Sequence, residues 1–173
     1  MRTISFFPFN GSSHFHTRNR EYLHSKRVLH RDVKLEKLLV DAQWNCKVTG
    51  FGTSVIRPTV SRSMTCIGTP TYMAPEVLKK EKYSEKADIY SFGIVLYEMF
   101  SGHRAYGLEP YKSMNVAVLN SSIISGARPA LDDLPVQLQQ LVSDCWNQSP
   151  KRRPHWPEII SRLHDLNDPA SQP

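Results

Sequence analysis

The chain has 173 residues, 40% of them apolar and 22% charged, with a formal charge of +6. That is enough apolar material for one domain with a sizeable core and too little for two ordinary ones. The 12 prolines and 8 glycines follow no period, which excludes collagen-like and low-complexity classes.

The charge is uneven. Residues 1–40 hold eight Lys or Arg against three acids, whereas residues 41–173 hold 14 against 13. The high pI belongs to one quarter of the chain. Neither aromatic interleaving nor an amphipathic helix accompanies it, so neither a nucleic-acid nor a membrane-surface partner is expected. Cys46, Cys66 and Cys145 form no C-x-x-C pair, and an odd, scattered set fits free thiols in a reducing compartment. No run approaches the roughly 18 apolar residues of a membrane span. The start, MRTISFFPFN, is too short and too broken by Pro8 for a signal segment. An intracellular, cytoplasmic protein is the expectation.

Residues 1–20 show no period and read as a disordered leader. Val28-Leu29, Lys37 to Val40 and Lys47 to Thr49 read as short strands. Gly50 to Pro75, rich in Gly, Ser, Thr and Pro, reads as one long loop, a length usually tied to function. Ser84 is a candidate N-cap for a helix to about Phe100, closed by Ser101-Gly102. Ile89, Phe92, Val95, Leu96 and Met99 form its stripe, and Tyr90, Ile94 and Tyr97 make it apolar nearly all round. Such a helix belongs at the centre of a domain. Further helices are expected at 111–125, 136–146 and 156–165, the last with Pro157 in its first turn.

The string from Val28 to Val40, with His30-Arg31-Asp32-Val33-Lys34-Leu35-Glu36-Lys37 inside it, resembles the catalytic loop of eukaryotic protein kinases, H-R-D-L-K-x-x-N before an apolar strand. Gly50-Phe51-Gly52 stands where that family has D-F-G. Gly68-Thr69-Pro70-Thr71-Tyr72-Met73-Ala74-Pro75-Glu76 resembles the end of its activation segment. Ala87 to Gly93 resembles its central helix, and Cys145-Trp146 with Arg153-Pro154 its C-terminal helices. The resemblance runs over residues 21–165 in order, and five linked motifs exclude coincidence. Lys34, two after the aspartate, is similar to the Ser/Thr-specific, tyrosine-kinase-like branch.

The resemblance implies an α+β kinase fold, large C-terminal lobe only, mainly α with a few short strands, over 21–165, with 166–173 as a disordered tail. It implies that Asp32 accepts the proton of a substrate hydroxyl, that Lys34 meets charge on the transferred phosphoryl group, and that Thr69 orients both. His30 and Phe51 fall in the stacked apolar column between lobes, and Asp88 anchors the loop backbone. Glu76 and Arg153 form a buried ion pair. Arg31 faces a phosphorylated loop residue, for which Ser61, Ser63 and Thr65 are the candidates, although a solvated, unphosphorylated loop is the favoured reading.

Two positions depart from the pattern, both metal ligands. The loop asparagine is Lys37 and the D-F-G aspartate is Gly50; with Leu39 these are the degenerate nucleotide and metal positions. ATP and Mg²⁺ are the cofactors the resemblance implies. A hard dication needs oxygen ligands, which neither residue offers. A lysine can nonetheless partly neutralise phosphate in a metal's place. Only 29 residues precede His30, with no G-x-G-x-x-G and no V-A-I-K, and Glu21 to Arg27 resembles the end of the helix before the catalytic loop. The small lobe is expected to be absent and no cofactor to be held. The expected function is a catalytically impaired pseudokinase that binds or scaffolds a protein partner. The alternative is a fragment of a Ser/Thr kinase transferring the ATP γ-phosphate to protein hydroxyls. His14, His16 and His24 lack a metal-site spacing. Trp44, Trp146 and Trp156 read as packing residues, and Lys151 and Arg152 as solvated charges.

Overall fold

The structure is a computed structural model that describes residues 28–40, 42, 46–56 and 68–166. The expectations for the leader, for the helix end at Glu21 to Arg27, and for the three N-terminal histidines lie outside the described residues. So do those for Trp44, Cys66, the three candidate phosphoacceptors and the tail from 167 onward.

Among the described residues, four short strands precede five helices. β1 (Val28–Leu29) pairs antiparallel with β4 (Val55–Ile56), and β2 (Leu38–Val40) with β3 (Cys46–Val48). The helices are α1 (Pro75–Leu78), α2 (Lys86–Ser101), α3 (Val116–Ile124), α4 (Val136–Cys145) and α5 (Trp156–Asp165). β4 falls inside the segment read as one long loop, which also holds 3-10 turns at Phe51–Thr53 and Pro70–Tyr72. These pieces are too short to carry a period, so only their long-range pairing reveals them.

α2 is the core. It buries 12 of its 16 residues, and Tyr90, Ile94 and Val95 are wholly enclosed, as its all-round apolar character requires. The Ser84 hydroxyl accepts from the Lys86 N–H at 3.3 Å, one residue ahead of the formal cap, Glu85. Gly102 ends the helix in the left-handed region, φ 71°, with its N–H on the Glu98 carbonyl.

α4 lies against α2 through Leu138, Leu141, Val142 and Cys145, the i, i+3, i+4, i+7 stripe of its sequence. Phe92 packs on Trp156 with ring centroids 5.1 Å apart, and Tyr97 on Trp146 at 5.7 Å, so both tryptophans are packing residues. α3 starts at Val116 rather than 111, because the Asn115 side chain accepts from the Val118 N–H at 3.0 Å and caps it there. Leu166 donates to the Arg162 carbonyl and packs on the core.

The α2–α4 approach depends on Gly93. A Cβ there would stand 2.9 Å from Cys145 Cβ and 3.1 Å from the Trp146 nitrogen, which is backbone and cannot swing away. Gly93→Ala is therefore expected to destabilise the fold by about 1–3 kcal/mol, read by urea denaturation, despite the better helix propensity of alanine.

The same core holds several acidic protons. Burial raises the Tyr90 and Tyr106 phenols and pushes the Cys145 thiol from 9.0 up to about 12. A raised native value stabilises the fold below the unfolded value and is lost as pH rises toward the folded one. The melting temperature should hold to about pH 9 and fall beyond it, with Cys145→Ala blunting the first part of the decline. A flat profile to pH 11 would contradict the burial of these groups.

Candidate active site

The loop that carries Asp32 is held from inside the core. The Asp88 carboxylate, on the first turn of α2, accepts from the His30 N–H at 2.9 Å and the Arg31 N–H at 3.0 Å. Arg31 sits in the left-handed region, φ 66°, a conformation that costs an L-residue about 1–2 kcal/mol and that these bonds hold in place. The His30 ring contacts the Thr49 carbonyl through Nε2 at 2.9 Å and receives the Asp32 N–H on Nδ1 at 3.3 Å, which fits the tautomer protonated at Nε2. Its ring packs edge-to-face with Phe51, centroids 5.1 Å apart.

Three predicted residues meet at the rim of the cavity under this loop. Lys34 Nζ donates to Thr69 Oγ1 at 2.9 Å, Thr69 Oγ1 reaches Asp32 Oδ1 at 3.5 Å, and Lys34 stands 3.8 Å from Asp32 Oδ2. One hydroxyl thus links the cation and the carboxylate across 35 residues of sequence. Gly68 allows the close passage: it lies at φ 130°, and a Cβ there would be 2.8 Å from the Arg31 carbonyl oxygen. Arg31, Asp32, Thr69, Met73 and Val77 line the cavity.

Lys37 and Gly50 also meet. The Lys37 carbonyl accepts from the Thr49 N–H at 2.9 Å, which brings the end of β3 beside the 3-10 turn at Leu35–Lys37. Gly50 is left-handed, φ 86°, and the Lys37 side chain crosses its open face: a Cβ on Gly50 would lie 2.6 Å from Cδ, 2.8 Å from Cε and 3.0 Å from Nζ. The lysine therefore occupies the space that a side chain at 50 would need. This pair does not fit Mg²⁺, since it presents an ammonium and a bare backbone where oxygen ligands are required. Leu39 and Phe51 lie near by in sequence and are 55% and 43% exposed.

Further from the cavity, Arg153 forks onto Glu76 at 2.6 and 2.9 Å and donates to the Lys86 carbonyl at 2.8 Å, with the guanidinium fully enclosed. Lys86 Nζ returns to the Arg153 and Pro154 carbonyls at 2.6 and 2.9 Å, and burial pulls its value below the ordinary lysine range. The pair ties α1, which begins within the activation-segment motif, to the segment just before α5. Removing one partner strands the other without water. Glu76→Gln is expected to cost about 3–5 kcal/mol in chemical denaturation, far more than loss of a surface pair such as Arg162–Asp144.

One cluster escaped the sequence reading. Arg104 donates to Glu36 at 2.6 Å and to the Tyr72 hydroxyl at 3.2 Å, and Tyr72 in turn donates to the buried Glu98 carboxylate, which also accepts the Ala105 N–H at 2.9 Å. Burial, then Glu98, raise the Tyr72 phenol well above its usual value. Burial works upward on Glu36, but a backbone N–H and Arg104 outweigh it and hold its carboxyl below the usual range. Tyr72 and Glu98 stand 26 residues apart and Glu36 and Arg104 68 apart, and no local pattern announces them.

A family model described as protein kinase domain matches residues 17–163. The chain is 37% identical over 151 residues to a serine/threonine-protein kinase/receptor of Acanthamoeba polyphaga mimivirus, covering 86% of this chain and 9% of that protein. It is 40% identical over 149 residues to a Dictyostelium discoideum protein named as a probable serine/threonine-protein kinase, covering 84% of this chain and 11% of that one. With drkA of the same organism the identity is 39% over 150 residues, covering 84% and 22%. The chain belongs to the protein kinase domain family, and it spans about a tenth to a fifth of the length of these relatives.

Proposed function

We propose that this domain, over residues 21–165, is the large lobe of a Ser/Thr-type kinase fold that has given up metal-assisted phosphoryl transfer and acts by binding a protein partner inside the cell. The observation that carries the reading is the Lys37 side chain lying across Gly50. Phosphoryl transfer is almost wholly positioning and charge neutralisation, and the metal supplies much of both. Without oxygen ligands the dication is not held, and each ~1.4 kcal/mol lost from the transition state is a tenfold loss in rate. The exposed Leu39 and Phe51 supply apolar surface for a partner. A reducing intracellular setting agrees with Cys145, a buried free thiol, and no helix among the described residues is long and apolar enough to cross a membrane.

A second reading is favoured by the cluster of Asp32, Lys34 and Thr69, whose spacing would serve a Ser/Thr kinase. In it Asp32 takes the substrate hydroxyl proton while Lys34 meets charge on the phosphoryl oxygens. One assay separates the two. The full chain is incubated with radiolabelled ATP, Mg²⁺ and peptide substrates beside Asp32→Asn. No transfer above background, and none that depends on Asp32, is the expected result. Labelling that disappears in Asp32→Asn would establish the second reading instead.

A further inference from the structure

The run Ile4-Ser5-Phe6-Phe7-Pro8-Phe9 holds three of the chain's 7 phenylalanines, and residues 3–17 contain no Asp, Glu, Lys or Arg. Water disfavours so apolar a run, and the site described above makes no use of it. At the other end of residues 1–27 the chain enters through β1, whose Val28 and Leu29 pair with Ile56 and Val55. His30 follows at once, and its ring lies against Phe51, centroids 5.1 Å apart. Leu39 belongs to the same corner: Lys37, two residues before it, lies across Gly50, the residue before Phe51. The other exposed large apolar side chains lie at position 100 and beyond, in the helical body. The chain therefore enters the fold beside the exposed face of Leu39 and Phe51.

We propose that residues 4–9 dock on the face formed by Leu39 and Phe51 and cover it while no partner is bound. The inference rests on the reading of this face as a protein-binding surface, and it adds the element that regulates access to it. The tether permits the contact. Residues 10–27, 18 in number, separate Phe9 from Val28, and a chain of that length reaches up to about 60 Å. Tethering makes the docking intramolecular, at an effective concentration on the order of millimolar, so a small apolar contact suffices. The exposed face and the aromatic run are each disfavoured in water, and one contact removes both from it. Charge agrees with this choice of occupant. The docking run brings no cation toward the Lys37 ammonium, and Arg18, Arg20, Lys26 and Arg27 stay behind in the tether. A partner has to displace the segment, so its apparent affinity falls with the fraction of molecules left open.

The test is photocrosslinking of the full chain with Phe7 replaced by p-benzoylphenylalanine, read by mass spectrometry of the digested monomer. Crosslinks to the peptides that hold Leu39 or Phe51 are expected, as is their loss in Leu39→Glu, which puts a charge on the face. Leu39→Ser takes its place if Leu39→Glu does not fold. Crosslinks elsewhere in the chain, none at all, crosslinks only between two chains, or a pattern unchanged by the Leu39 variant overturns the inference. A second readout is the fluorescence of anilinonaphthalene sulfonate, a probe of exposed apolar surface. The triple variant Phe6→Ser, Phe7→Ser, Phe9→Ser is expected to raise it at least about twofold, as follows when the face is covered more than half the time. Equal or lower fluorescence overturns the inference, because undocked phenylalanines would themselves bind the probe. Each of these failures leaves the protein-binding reading standing. Transfer of label from ATP that depends on Asp32 overturns that reading, and the regulatory role of the segment with it.

Discussion

The hydrogen bonds that a single carboxylate makes to two consecutive backbone N–H groups set the geometry on which the rest of the site depends. Asp88 projects from the first turn of the most buried helix and fixes the nitrogens of His30 and Arg31. That restraint holds Arg31 in a left-handed conformation and turns the chain, so Asp32 emerges toward Thr69 while His30 folds back onto the Thr49 carbonyl. Because the anchor is packed among fully enclosed residues, the loop inherits the rigidity of the core rather than the mobility usual for a surface connection.

From that anchor the site divides into two halves with different fates. On one side the cation, hydroxyl and carboxylate of Lys34, Thr69 and Asp32 keep an arrangement suited to a hydroxyl substrate. On the other, the Lys37 side chain folds over the bare backbone of Gly50. The two are mutually consistent as packing. The lysine stem fills the room that glycine vacates, and the left-handed φ at 50 suits glycine better than any other residue.

Charge is managed in two contrasting ways across the helical body. Arg153 and Lys86 are enclosed, and both are satisfied: the guanidinium by Glu76 and backbone carbonyls, the ammonium by carbonyls alone. Such pairs contribute mainly by being intact, since the desolvation cost is already incurred. Arg104 instead bridges an exposed carboxylate, Glu36, and a buried relay of Tyr72 and Glu98, so it links the catalytic-loop turn to the end of α2 at the protein surface. Salt screens its outer half and hardly touches its inner one.

The central helix and the helices at 136 and 156 were legible because their signals are local. Apolar periodicity, a capping serine, a closing glycine and short contiguous motifs all act within a few turns of chain. The pairing of β4 with β1, the late start of α3 at Asn115 and the Arg104 bridge were not, since each depends on which of several competing partners lies close in space. The residues at 37 and 50 were visible as departures from a pattern, yet only folding decided that the Lys37 side chain lies against the Gly50 backbone. Sequence by itself determined the kinase-type order of motifs and that a lysine stands at 37 and a glycine at 50. The tertiary structure alone decided that Lys37 lies across Gly50, because a contact over 13 positions is set by the backbone bond from Thr49 to the Lys37 carbonyl and not by any property of either residue.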